Sequence, residues 1–247
     1  MRQHLPSLIL LCILPVFVAA SAPDPEDDAP IRILLTHGGH WFQEAEFFAM
    51  FDALEGVEYT RAPLPEMADL LRPGLQKEYD VIVMYDMVAE LATQQQRALV
   101  ALLNEGIGVV SLHHNIGAHR DWEEFPRIIG GRFFFREGVI DGQTYPPSSY
   151  SQGERVQVTV ADPDHPITRG VDDFEILDET FADCYIAPDS HVLLKTDHLR
   201  SDPFLAWTRS YGQSRVFYLM LGHDSQAWQH PAYPRLLHQG IRWAAGR

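Results

Sequence analysis

Four apolar runs in this chain end in the same way. IRILLT, DVIVMY, GVVSL and RVFYLML are short and continuous, and each gives way at once to His, Asp or Gly. Continuous runs of this kind suit strands buried on both faces of a parallel sheet. Between them lie segments with helical spacing of apolar residues. FQEAEFFAMFDAL (42–54), TQQQRALVALLNEG (93–106), DWEEFPRIIGG (121–131) and AYPRLLHQGIRWAA (232–245) are read as helices. Thr93 with Gln96, and Asp121 with Glu124, are read as capping pairs at two of their starts. Strand and helix in alternation predict an α/β fold with a parallel sheet covered by helices on both faces.

The second half is less regular. RVQVTVAD (155–162) alternates like a half-exposed strand, and FEILDE, HVLLKTD and PFLAWTR are further strand candidates. Residues 133–154 read as an inserted rim loop, a lid or a subunit contact in a homo-oligomer. Asp178 and Glu179 read as a solvated carboxylate pair in a loop.

The N-terminus reads separately. Residues 1–22 carry Arg2, an apolar run from Leu8 to Val18, and small residues from Ala19 to Ala22. This pattern is that of a secretory signal peptide and predicts export to the periplasm or the medium, with no membrane span after cleavage. Residues 23–30 read as an acidic linker. Residues 31–247 then form one domain. Cleavage would remove Arg2 and no acid, taking the net charge from −15 to −16. So acidic a surface repels phosphate backbones, which excludes nucleic acid as a partner. Of the two cysteines, only Cys184 lies beyond residue 22, so no internal disulfide is available to that domain.

In open parallel sheets, ligands bind outside the carboxyl ends of the strands. His37, Gly38, Gly39 and His40 follow the first run, and Asp86 the second. His113, His114 and Asn115 follow the third, and His223 and Asp224 the fourth. Imidazoles titrate near neutral pH, so His37, His113, His114 and His223 are candidate catalytic groups. His40, Trp41, Asp86, Asn115 and Asp224 are candidate substrate contacts, with Trp41 placed to stack on a sugar. His37, His40, His113 and His223 are candidate ligands for a divalent cation such as zinc. Adjacent strand residues point to opposite faces, so only one of His113 and His114 faces the site unless the strand has already ended.

The strings LLTHGGH, YDVIVMYD, GIGVVSLHHNIG, WEEFPRIIGGRF, DHPITRGVDDFEILDE, RVFYLMLGHDSQAW and GIRWA together resemble the ThuA-like (trehalose utilisation) family, from about Ile31 to Ala245. The resemblance implies a flavodoxin-like fold related to class I glutamine amidotransferases. Those relatives carry a nucleophilic cysteine on a strand-to-helix elbow. The matching turn here, SLHHNIG, holds none, so cysteine-dependent glutamine hydrolysis is rejected. The family's link to sugar utilisation implies a carbohydrate ligand, small or oligomeric.

Two functions stay open. One is an exported hydrolase or lyase acting on glycosides or 3-keto-sugar derivatives through a histidine-rich site. The other is a non-catalytic sugar-binding or scaffold module of the cell envelope.

Overall fold

A computed structural model describes residues 29–247. The stretch read as a signal peptide and most of the acidic linker lie outside the described residues.

The first half follows the predicted rhythm. β1 (Ile31–Gly38), α1 (Glu44–Asp52), β2 (Val57–Pro63), β3 (Val81–Asp86), α2 (Thr93–Asn104) and β4 (Gly108–Leu112) succeed one another. Every residue of β3 and β4 is buried, as the continuous apolar runs require. A 3-10 turn over His113–Gly117 leads to α3 (Phe125–Ile129), β5 (Gly131–Arg132) and the hairpin β6 (Gly138–Ile140) and β7 (Gln143–Tyr145). Then come β8 (Ser149–Val160), β9 (Phe174–Ala182), β10 (Tyr185–Ile186), β11 (His191–Lys195), β12 (Phe204–Tyr211) and β13 (Ser214–Leu219). The chain closes with α4 (Ser225–Trp228) and α5 (Ala232–Ala244).

Nine strands form one sheet in the order β2-β1-β3-β4-β13-β12-β11-β8-β9. The pairs from β2 to β13 are parallel. Those from β13 to β9 are antiparallel. The expectation of a parallel sheet is therefore corrected: the sheet is mixed. The cause is legible in the second half, where short connections such as Gly212–Gln213 allow only hairpin pairing. Five helices are assigned among the described residues, and α5 packs on β3, β4 and β13. Gly240 makes that approach close, since a β-carbon there would strike the Phe217 ring.

Two helix readings are also corrected. The chain at 121–131 is helical only over Phe125–Ile129, with Pro126 in the first turn. Thr93 is the first residue of α2 rather than its cap; the cap position is Ala92, which has no capping side chain.

The segment 133–154 is neither structureless nor wholly an insertion. It contains the β6–β7 hairpin and the start of β8. β8 carries a register shift between Ser151 and Glu154. Beyond it, β8 and β9 run as a ribbon that reaches the carboxyl ends of β4 and β13: Asp178 of β9 binds the backbone of Gly222 and His223.

Candidate functional site

β4 delivers His113 and His114 to the edge of the sheet, and β13 delivers His223 after a short turn. His113 has a φ of +42°, so the strand ends there and the alternation of side chains is broken. Both imidazoles therefore face the same way. A non-glycine residue in this region costs about 1–2 kcal/mol. Local contacts hold it: His113 Nδ1 meets the Met220 carbonyl, and the Tyr218 hydroxyl donates to the His113 carbonyl at 3.0 Å.

The three rings converge on one carboxylate oxygen. Glu179 Oε2 lies 3.2 Å from His113 Nε2, 3.6 Å from His114 Nε2 and 3.3 Å from His223 Nδ1. One ligand atom from each of the four residues falls within 4.8 Å of every other, a set that could hold a metal ion. Glu179 and His113 are buried, His114 and His223 partly so.

The electrostatics follow from this packing. Burial pushes the Glu179 carboxyl up, but His113 and His223 outweigh it and hold the group at about 2. Burial drives His114 well below the usual imidazole range, aided by the neighbouring histidines. Contact with Glu179 raises His223 against the opposing effect of burial. His114 Nδ1 is buried without a hydrogen-bond partner.

Asp178 anchors the arrangement. Its carboxylate accepts from the backbone N–H of Gly222 at 2.7 Å, His223 at 3.0 Å and Glu179 at 2.8 Å. It thereby ties the loop carrying His223 to the strand carrying Glu179. Gly222 adopts φ +116°, and a β-carbon there would collide with the Tyr233 hydroxyl. The expectation of a solvated Asp178–Glu179 pair is thus overturned. Both lie in β9 and are buried.

The other sequence candidates fall around this centre. His40 lies beside His114, with ring centroids 4.0 Å apart and planes tilted by 53°, and its Nδ1 contacts the Trp41 carbonyl. His37 lies away from the four-residue set, edge-on to Phe42 and Phe48. Trp41 projects into solvent at 85% exposure. Asp224 caps α4 by accepting from Gln226 N–H at 2.9 Å. Asn115 supports the turn, donating to the Asp86 carbonyl and accepting from Ser111. Asp86 is fully buried, accepts from Thr36 at 2.6 Å and lies 3.4 Å from His119. Of the four residues proposed as cation ligands, the structure brings His113 and His223 together; His114 and Glu179 replace His37 and His40.

Sequence reasoning did not single out Glu179 as a member of the cluster. The available signal was two adjacent carboxylates inside FEILDETF, a run otherwise suited to a buried strand. A buried carboxylate needs partners, and such partners mark a site.

A cavity of about 280 Å³ opens over the cluster. His114, Glu179 and His223 line its floor, and Phe133, Phe135 and Phe181 are among its walls. Tyr150 and Gln152, from the start of β8, complete the rim. A larger cavity of about 770 Å³ lies on the other side of Phe133 and Phe135. Its walls mix arginines with acidic residues and do not include the imidazole cluster. Cys184 is not among the cavity's lining residues, and burial and nearby Asp202 push its thiol well up, so it is a poor nucleophile.

The sequence model of the trehalose utilisation family, ThuA, matches residues 36–244. The chain belongs to the ThuA family. The ThuA fold also appears in solved structures. A thua-like protein from Parabacteroides merdae is 20% identical, with a TM-score of 0.73 over 87% of this chain and 90% of its own. One from Bacteroides uniformis is 21% identical, with a TM-score of 0.64 over 92% and 95%. A Salmonella typhimurium protein is 14% identical, with a TM-score of 0.58 over 87% and 98%. No curated protein matches the chain in sequence.

The expectation of export is corrected by one of these neighbours. The Salmonella typhimurium neighbour is named a cytoplasmic protein, and the residues on which export rested lie outside those described. Among the described residues, no helix is long and apolar enough to cross a membrane.

Proposed function

We propose that this ThuA-family protein is a carbohydrate-active hydrolase or lyase whose reacting centre is His113, His114, Glu179 and His223. The convergence of three imidazoles on the single oxygen Glu179 Oε2, under a cavity, carries this reading. A binding module gains nothing from packing three imidazoles around a buried carboxylate. Perturbed titratable groups that share a cleft are the mark of a reacting centre.

The family and the cavity support the substrate class. Phe133, Phe135 and Phe181 offer aromatic faces of the kind that pack against sugar C–H groups, while His114, Glu179 and His223 offer polar contacts. A glycoside oxidised to a ketone at C3 carries an acidic proton beside the carbonyl. Removing that proton starts elimination of the aglycone, and it requires a polar centre beside an otherwise dry wall.

Turnover of 3-keto-glucosides by the wild type and by His114→Ala and His223→Ala tests the proposal. Loss of turnover in folded variants is expected. Turnover at the wild-type rate in both would remove the cluster from the reaction. Sugar binding by the wild type with no turnover of any glycoside or keto-glycoside would favour the binding module.

A further inference from the structure

We infer that His113, His114, Glu179 and His223 form a binding site for a first-row divalent cation. The inference identifies the cofactor of the centre proposed above and rests on that reading only for its catalytic meaning.

The first argument is distance. Bonds of about 2.0–2.2 Å from a tetrahedral cation to nitrogen and oxygen place neighbouring ligand atoms about 3.3–3.6 Å apart. Glu179 Oε2 stands 3.2, 3.6 and 3.3 Å from the three imidazole nitrogens. All four atoms lie within 4.8 Å of one another.

The second argument is hydrogen-bond polarity. His113 Nδ1 meets the Met220 carbonyl, which can only accept, so the ring proton belongs on Nδ1. That leaves Nε2 as the nitrogen free to ligate, and it lies 3.2 Å from a carboxylate oxygen. An imidazole locked by a backbone carbonyl on one nitrogen, with the other free to ligate, is the usual support for a metal-bound histidine.

The third argument is the surrounding frame. His113 approaches from the protein side and is fully buried. His114, Glu179 and His223 also line the cavity, so a cation held among them faces it. Asp178 fixes the backbone of both Glu179 and His223. The donor set of three imidazoles and one carboxylate suits zinc, iron or manganese, and no thiol is present to select a softer ion. Such an ion supplies Lewis acidity to a carbonyl or hydroxyl oxygen of a bound sugar.

Metal analysis of the purified full chain tests the inference without reference to turnover. The chain is stripped with a chelator and reconstituted separately with Zn²⁺, Mn²⁺ and Co²⁺. Expected is about one equivalent of at least one ion per chain, with a rise in melting temperature. Glu179→Gln and His114→Ala are expected to lose that equivalent, and His37→Ala, outside the set, to keep it. Asp178→Asn is expected to weaken affinity about 10–100-fold through the loosened frame. Far-UV circular dichroism confirms that each variant is folded. For a variant that does not fold, the visible spectrum of the Co²⁺-loaded wild type reports nitrogen–oxygen ligation in its place.

Failure of the wild type to hold any of the three ions overturns the inference, as does full retention by both Glu179→Gln and His114→Ala. Metal binding without turnover would leave the cation site standing and overturn the proposed reaction. Turnover by metal-free protein would leave the proposed reaction standing and remove the cation from it.

Discussion

Glu179 Oε2 and His113 Nε2 lie 3.2 Å apart, although 66 positions separate them in the chain. The contact joins the end of a parallel strand to the middle of an antiparallel ribbon. It exists because β9 is carried back over the carboxyl ends of β4 and β13, and Asp178 fastens it there.

Removing that fastening should be measurable. In Asp178→Asn, a buried carboxylate that accepts three backbone N–H bonds becomes an amide with one acceptor oxygen. A loss of about 2–3 kcal/mol is expected. For a chain of this length that is a fall of roughly 4–12 °C in melting temperature. Thermal unfolding followed by circular dichroism measures it, and an unchanged midpoint would show that Asp178 does not anchor the loop.

Glu179→Gln keeps the shape of the side chain and removes its charge. The neutral amide can no longer hold three imidazoles around one anionic oxygen. A fall in kcat/KM of at least about 100-fold is expected, the usual scale for loss of a general acid–base or charge-stabilising group. Steady-state kinetics on a 3-keto-glucoside measures the loss.

The cavity wall predicts a different kinetic signature. Phe135 is 47% exposed and lies beneath the Arg120 guanidinium, which is 3.9 Å from its ring centroid. Phe135→Ala should raise KM about two- to tenfold, the worth of one aromatic packing partner, while kcat stays near the wild-type value. A fall in kcat at constant KM would place Phe135 in the reaction instead.

Far from the site, Asp80 gives a pH-dependent contribution to stability. Burial raises its carboxyl, but hydrogen bonds and charge from Arg32 outweigh this and hold it below the usual range. The folded-state pKa is therefore lower than the unfolded one, about 3.9. The contribution is present in full above that value and is lost as the pH falls through the folded pKa. Asp80→Asn should cost about 0.5–1 kcal/mol at pH 7, and less as the pH drops below about 4. Urea denaturation at the two pH values measures the difference.

Much of this site was legible in the sequence because parallel strands announce their own ends. His113, His114 and His223 each follow a buried run, and the rule for open sheets sends them to one edge. What sequence could not supply was the fold-back of β9. The pairing of β8 with β9 across a register shift is a long-range outcome, and Glu179 reads locally as a surface carboxylate. The same rule reads His37 as a cation ligand, and the structure sets it outside the four-residue cluster. It follows β1 as the rule requires, but its ring packs edge-on to Phe42 and Phe48. The two adjacent histidines were ambiguous for a smaller reason. Strand alternation would have split them, and only the +42° φ at His113 turns both inward. The parallel sheet was over-extended to the second half, where hairpin connections set an antiparallel order.

The central claim is that this cluster acts on the carbon beside a sugar carbonyl. Proton exchange measures that step directly. A 3-keto-glucoside is incubated with the protein in D2O, and the signal of the hydrogen at C2 is followed by proton NMR. The account predicts that the wild type removes this signal, through exchange or elimination, well above the uncatalysed rate, and that folded Glu179→Gln and His223→Ala do not. A C2 signal that decays no faster with the wild type than in buffer, or equally fast with all three proteins, would contradict it.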